Sequence, residues 1–242
     1  MNGNPTVASV VAQDLARCGA RRCFGLLGTA NFKISHGLVE AGVELISARH
    51  EGNAAAMGDA YAKATGELTL VSVHSGPGLT NALTGITEAA KSRTPLLVLA
   101  GDVPNGAVKN NFYIEQAEMV RAVGAVSERL HTPGSAREDM LRAVTRALRD
   151  RQTVVLSMPL DVQHAPLASQ RTLDFQQRLH QLFRRERGLR FDDTIQKPVR
   201  GTHFDRLRLI ERRLSRDAHA ARRKRFDGAG DILRAVADVR AQ

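Results

Sequence analysis

The chain has no tryptophan, two tyrosines and eight phenylalanines, so aromatic residues make up only 4% of its 242 positions. A core built on large aromatic anchors is therefore excluded, and aliphatic side chains have to supply it. Cysteine is equally scarce. Cys18 and Cys23 are the two in the chain, five apart, with no companion Cys or His at ligand spacing. That argues against a zinc site and leaves buried, reduced thiols as the expectation. No stretch approaches the roughly 20 consecutive apolar residues of a membrane span. The opening Met1-Asn2-Gly3-Asn4-Pro5 has neither the basic nor the apolar region of a secretory signal. A cytoplasmic location is the resulting expectation. A P-loop is missing, and no asparagine occurs after Asn111.

Hydrophobic residues make up 43% of the chain, enough for a real core and too many for wholesale disorder. Charge is unevenly spread. Residues 1–165 carry 16 Lys and Arg against 15 Asp and Glu, a net of +1, whereas residues 166–242 carry 19 against 10, a net of +9. Glycine divides the other way, 16 against 4. This predicts a nearly neutral globular unit over 1–165 and a separate basic tail over 166–242.

Within the first unit the periodicity alternates between helix and strand. Helices are expected over Thr6–Arg17, Phe32–Glu40, Gly52–Ala64, Leu79–Ala90 and Arg137–Leu148. Strands are expected over Cys23–Leu27, Val43–Ala48, Leu68–Val73, Leu96–Ala100 and Thr153–Met158. The last three are near-continuous apolar runs, as in strands buried on both faces of a parallel sheet. The fold class is therefore α/β, an open and mostly parallel sheet with helices on both faces. Ligands in such sheets sit at the carboxyl ends of the strands. This singles out three turns: Gly28-Thr29-Ala30-Asn31, Arg49-His50-Glu51, and His74-Ser75-Gly76-Pro77-Gly78.

Those turns carry a resemblance. The string Phe24-Gly25-Leu26-Leu27-Gly28 with Asn31, the string Ala48-Arg49-His50-Glu51-Gly52-Asn53-Ala54-Ala55-Ala56-Met57, and its continuation Gly58-Asp59-Ala60-Tyr61-Ala62 are followed by Thr65-Gly66. Then come Ser75-Gly76-Pro77-Gly78 with Thr80-Asn81-Ala82, Thr94-Pro95-Leu96-Leu97, and the closing Met158-Pro159-Leu160-Asp161-Val162. Together they resemble the pyrimidine-binding (PYR) domain of thiamine-diphosphate-dependent enzymes, closest to the acetolactate synthase and benzoylformate decarboxylase group. The resemblance covers about residues 1–165.

It implies site residues. The glutamate matching Glu51 hydrogen-bonds N1′ of the aminopyrimidine, which leads the cofactor to activate itself and attack a 2-oxo acid that then loses CO₂. That role calls for a dry site. From position alone, Glu51 is no more than a helix-N-terminal carboxylate favoured by the dipole. A His in the turn of His74 is an acid–base group in the decarboxylases and is usually not His in acetolactate synthases. Gly76, Pro77 and Gly78 flank the pyrimidine ring, which also fits a tight strand-to-helix turn. Asn81 is a secondary contact on the cofactor side or a first-turn helix residue, and Thr29 matches a hydroxyl that contacts substrate. His50 is best read as the side chain that begins the helix. The Phe-Gln-Glu string of the family is replaced here by Asn111-Phe112-Tyr113-Ile114-Glu115-Gln116, which keeps a helix-leading Glu115-Gln116.

The family's active site also needs a pyrophosphate-binding (PP) domain, whose Gly-Asp-Gly turn and later asparagines hold Mg²⁺ and diphosphate. Asp227-Gly228-Ala229-Gly230-Asp231 is the nearest string and has no downstream Asn. The expectation is that this chain holds only the pyrimidine half of thiamine diphosphate, with Mg²⁺ coming from a partner domain. The partner would be another copy in a homo-oligomer or a subunit bearing a PP domain, as in split 2-oxo acid decarboxylases such as sulfopyruvate decarboxylase. The other readings are a truncated or frame-altered remnant, or a catalytically silent scaffold.

Residues 166–242 resemble no known segment. They hold 17 arginines, including Arg222-Arg223-Lys224-Arg225, and two amphipathic patterns (Phe175, Leu179, Leu182 and Phe183; Leu207, Ile210, Leu214 and Ala218). A solvated or disordered face is the commoner meaning of such charge runs, and contact with nucleic acid or an acidic partner is the alternative.

Overall fold

A computed structural model describes residues 5–167; the amphipathic patterns and the basic run of the tail lie outside the described residues. The elements are α1 Val7–Arg17, β1 Arg22–Gly25, α2 Phe32–Glu40, β2 Glu44–Ser47, α3 Glu51–Thr65, β3 Thr69–Val73, α4 Pro77–Lys91, β4 Leu96–Asp102, α5 Gln116–Ala122, β5 Val126–Arg129, α6 Ala136–Leu148, β6 Val154–Pro159 and α7 Leu160–His164. The six strands form one sheet in the order β2-β1-β3-β4-β6-β5, every pair parallel. This is the expected open α/β architecture. No described helix is long and apolar enough to cross a membrane.

Strand alternation distributes the core to two faces. Cys23, Leu70, Leu97, Leu99, Val154 and Leu156 point to the layer of α1, α2 and α6. Phe24, Val71, Val73, Val98, Ala100 and Val155 point to the layer of α3, α4 and α5. Every residue of β3, β4 and β6 is buried. Each buried Leu or Val there contributes roughly 1.5–3 kcal/mol relative to exposure.

Local signals fix the helix ends. Thr6 caps α1 by accepting from the Ser9 N–H at 3.4 Å, and the left-handed Gly66 closes α3. The small-residue character of α3 has a geometric cause. A Cβ on Gly58 would lie 2.5 Å from Val71 Cγ2, and one on Gly85 of α4 would lie 2.6 Å from Ala55 Cβ, so α3 packs close both to the sheet and to α4.

Three elements, α5, β5 and α7, have no counterpart in the periodicity. The edge strand β5 reads Val-Ser-Glu-Arg and is mostly half-exposed. It pairs only with β6, so it lacks the apolar run of the central strands. α7 is a single turn whose Gln163 amide donates to Ala30 O at 2.9 Å and Met158 O at 2.7 Å, tying the Gly28–Asn31 turn to the end of β6.

Candidate active site

The sheet order reverses direction between β1 and β3, since β2 lies outside β1 on one side and β4 outside β3 on the other. Such a switch point leaves a crevice at the carboxyl ends of the strands. The turn after β1 and the turn after β3 both open there, and α3 starts beside them.

The first turn is held by Asn31, which is fully buried. Its Oδ1 accepts from the Gly28 N–H at 2.8 Å, and its amide donates to Leu26 O at 3.0 Å and Ser72 Oγ at 2.9 Å. That fastening presents Thr29 outward. Thr29 Oγ1 lies 3.1 Å from His74 Nε2, so the structure brings these two predicted residues together. His74 Nδ1 lies 3.0 Å from the Ser75 carbonyl oxygen, which can only accept. Ser75 Oγ also lies 3.1 Å from Nδ1, and with the proton on Nδ1, hydrogen-bonded to the Ser75 carbonyl, Nε2 accepts from the Thr29 hydroxyl. The ring of Phe112 meets the His74 ring edge-on, with centroids 5.0 Å apart.

The glycines of the turn after β3 serve close approach. Gly76 has φ +58°, and a Cβ there would stand 2.6 Å from Phe112 O. Pro77 occupies the first turn of α4, where its missing N–H costs nothing. A Cβ on Gly78 would lie 2.8 Å from His74 Cβ and 3.3 Å from Glu51 Oε1.

Glu51 is the first residue of α3 and is 7% exposed. His50 caps that helix, its Nδ1 accepting from the Gly52 N–H at 3.0 Å, as the reading of His50 anticipated. Asn81 Nδ2 donates to Glu51 Oε2 at 3.0 Å. Glu51, Gly78 and Asn81 thus form one group, and Thr29, His74, Ser75 and Phe112 form its neighbour.

A departure from the family string also finds a place. Gln116 begins α5 and is buried, its amide donating to Gly101 O at 2.9 Å and Asp102 Oδ1 at 3.2 Å while its Oε1 accepts from Ser157 Oγ at 3.0 Å. It floors a cavity of about 280 Å³ at the ends of β4, β5 and β6, walled by Tyr113, Arg129 and Ser157. Arg129 pairs with Asp102 in the lining of this cavity. Among the described residues no cluster of three His, Cys, Asp or Glu is arranged to hold a metal ion. The edge-on contact of Phe112 with His74 and the Asn31–Ser72 bond were not legible as site features, because each is a contact between residues distant in sequence.

A family model described as thiamine pyrophosphate enzyme, N-terminal TPP binding domain, matches residues 5–125. The chain belongs to this family. The match takes in all three turns and Asn81. Among curated proteins, the sulfoacetaldehyde acetyltransferase of Rhodobacter capsulatus is 27% identical over 159 residues, 65% of this chain and 27% of that one. The acetolactate synthase isozyme 3 large subunit of Escherichia coli is 38% identical over 114 residues, 47% of this chain and 20% of that one. The probable 2-ketoarginine decarboxylase AruI of Pseudomonas aeruginosa is 30% identical over 169 residues, 67% of this chain and 30% of that one. The TPP-binding chain therefore spans less than a third of the length of each of these relatives.

The donor set fits the pyrimidine end of thiamine diphosphate. A nearly buried carboxylate stands beside a glycine turn, and side chains on that turn would fill the space next to Glu51 Oε1.

Proposed function

We propose that this domain supplies the aminopyrimidine half of a thiamine diphosphate site in an acetolactate synthase-like enzyme that acts on small 2-oxo acids by decarboxylation or carboligation. The observation that carries this reading is the Glu51 carboxyl at the mouth of the Gly76-Pro77-Gly78 turn, 7% exposed and next to a position where a Cβ would crowd Oε1 to 3.3 Å. When bound, the cofactor supplies an electron sink for the carbon that loses CO₂. Glu51 exchanges a proton with the pyrimidine ring nitrogen. Gly76, Pro77 and Gly78 would hold the pyrimidine end against the turn, where the missing side chains leave room for it. His74, with Nε2 directed to Thr29, handles a proton on the substrate side. A His in this turn favours the decarboxylase end of the range.

The unit proposed is residues 1–165, with 166–242 as a separate basic tail, in a cytoplasmic protein. Diphosphate and Mg²⁺ would be held by a pyrophosphate-binding domain outside residues 1–165. The greater length of the relatives supports this. So does the apolar surface around the crevice, where Leu27, Phe32 and Phe112 are 48%, 54% and 44% exposed. Such apolar residues beside a polar site suit contact with another domain.

The test is titration of the ¹⁵N-labelled full chain with 4-amino-5-hydroxymethyl-2-methylpyrimidine, which needs no diphosphate site. Amide shifts confined to residues 28–31, 50–52 and 74–81, and lost in Glu51→Gln, are expected. Shifts elsewhere only, or shifts indifferent to Glu51→Gln, would overturn the proposal.

A further inference from the structure

Glu51 and Ala55 lie on one face of α3, and Asn81 and Gly85 on one face of α4, each pair four residues apart. The two faces meet in a single seam. At one level Gly85 lets α4 approach Ala55, where a Cβ would come within 2.6 Å of Ala55 Cβ. One turn nearer the crevice, Asn81 donates its amide to Glu51 Oε2 at 3.0 Å. Gly52 completes the close fit, since a Cβ there would lie 3.1 Å from the Asn81 carbonyl oxygen. Among the described residues Asn81 is the hydrogen-bond partner of the Glu51 side chain.

We infer that Asn81 is a positioning residue, whose N–H on Oε2 orients the Glu51 carboxyl so that Oε1 is the oxygen that gains and loses a proton. An amide N–H donated to one carboxylate oxygen stabilises negative charge there and so favours the proton on the other oxygen. The proton then resides on Oε1, on the Gly78 side, where the missing Cβ keeps the approach open. Asn81 thus acts through Glu51 and not by touching a ligand. The tight Gly85 contact one turn away holds it at that distance. This inference rests on the proposed role of Glu51.

The first readout is the Asn81 side-chain NH₂ pair in the ¹⁵N-labelled full chain, assigned by its loss in Asn81→Asp. One proton of the pair should move with pH as the Glu51 carboxylate takes up its proton, and stop doing so in Glu51→Gln. The second readout is affinity for the free aminopyrimidine. Asn81→Ala should weaken it about tenfold, and Asn81→Asp, which keeps the shape, discards the amide donor and sets a second negative charge against Oε2, should weaken it at least as much. Asn81→Ala should lower the thermal midpoint only slightly, since Asn81 itself is exposed and the loss is confined to the partner of the nearly buried Glu51 carboxyl. Pyrimidine binding by Asn81→Asp at the native level would overturn the inference, as would an amide pair that ignores Glu51. Binding unchanged in Glu51→Gln, with the amide pair still following the carboxylate, would instead overturn the role of Glu51 itself.

Discussion

The ring of His74 occupies the space in which a side chain at position 28 would begin. A Cβ on Gly28 would lie 2.2 Å from His74 Cδ2 and 2.9 Å from Cγ. The turn after β1 and the turn after β3 are therefore fitted to each other around one imidazole, and the contact between Thr29 and His74 depends on that fit. Gly28→Ala should destabilise the protein by about 1–3 kcal/mol, the usual cost of overpacking. Adding His74→Ala should restore most of that loss. Urea unfolding of the two single variants and the double variant measures the coupling, and strictly additive losses would mean that the ring has another place to go.

Asn31 should prove the more costly residue of the same turn. Its side chain makes three hydrogen bonds, to the Gly28 N–H, Leu26 O and Ser72 Oγ, in a site closed to water. Asn31→Ala leaves those partners without it, and buried groups that lose a partner cost about 1–3 kcal/mol each. A loss of at least about 2 kcal/mol in urea unfolding is expected. Ser72→Ala should cost less, since it removes one of the three contacts of Asn31 and the bond of the Ser72 hydroxyl to Ser35 Oγ at 2.9 Å, two bonds against three.

The fold was legible in the sequence wherever local chemistry and burial agree. The expected helix over Phe32–Glu40 is α2 to the residue, and the apolar runs became β3, β4 and β6. β5 was not legible, because an edge strand with one half-exposed face has no run to read. In the crevice, residue types and order pointed to Glu51, His74 and Asn81, but not to which of them touch. Asn81 and Glu51 are thirty residues apart and meet only because Gly85 lets α4 approach α3. The same holds for Phe112, which reaches His74 from a loop with no periodicity of its own.

Acid stability should report Asp139. Burial pushes its carboxyl pKa up, but the His131 backbone N–H and the Arg142, Ser135 and His131 side chains outweigh that and hold it below the ordinary value. A group with a depressed pKa in the folded state stabilises the protein at all pH values above its unfolded pKa, near 3.9. That contribution is lost as pH falls from there through the folded value. The difference in urea midpoint between the native protein and Asp139→Asn should be constant from about pH 5 to 7 and shrink below about pH 4. A gap that grows as the solution is acidified would contradict the sign.

Thiol chemistry gives the last expectation. Burial pushes the Cys18 thiol up to about 12, with the negative charge of Asp14 adding to it, and burial alone does the same for Cys23. Only the thiolate attacks alkylating agents, so at pH 8 the reactive fraction is about one part in ten thousand, against roughly a quarter for a free cysteine. The two side chains are also 4% and 0% exposed, which keeps the reagent away even from that fraction. Iodoacetamide at pH 8 should therefore leave the folded full chain unmodified and label both thiols in denaturant. Because these are the only cysteines in 242 residues, mass spectrometry counts them without ambiguity. Labelling of Cys18 ahead of Cys23 under native conditions would locate a local opening at the C-terminus of α1, where Cys18 caps the helix. Equal and rapid labelling of both would mean that the core of α1, β1 and β3 is not closed in solution.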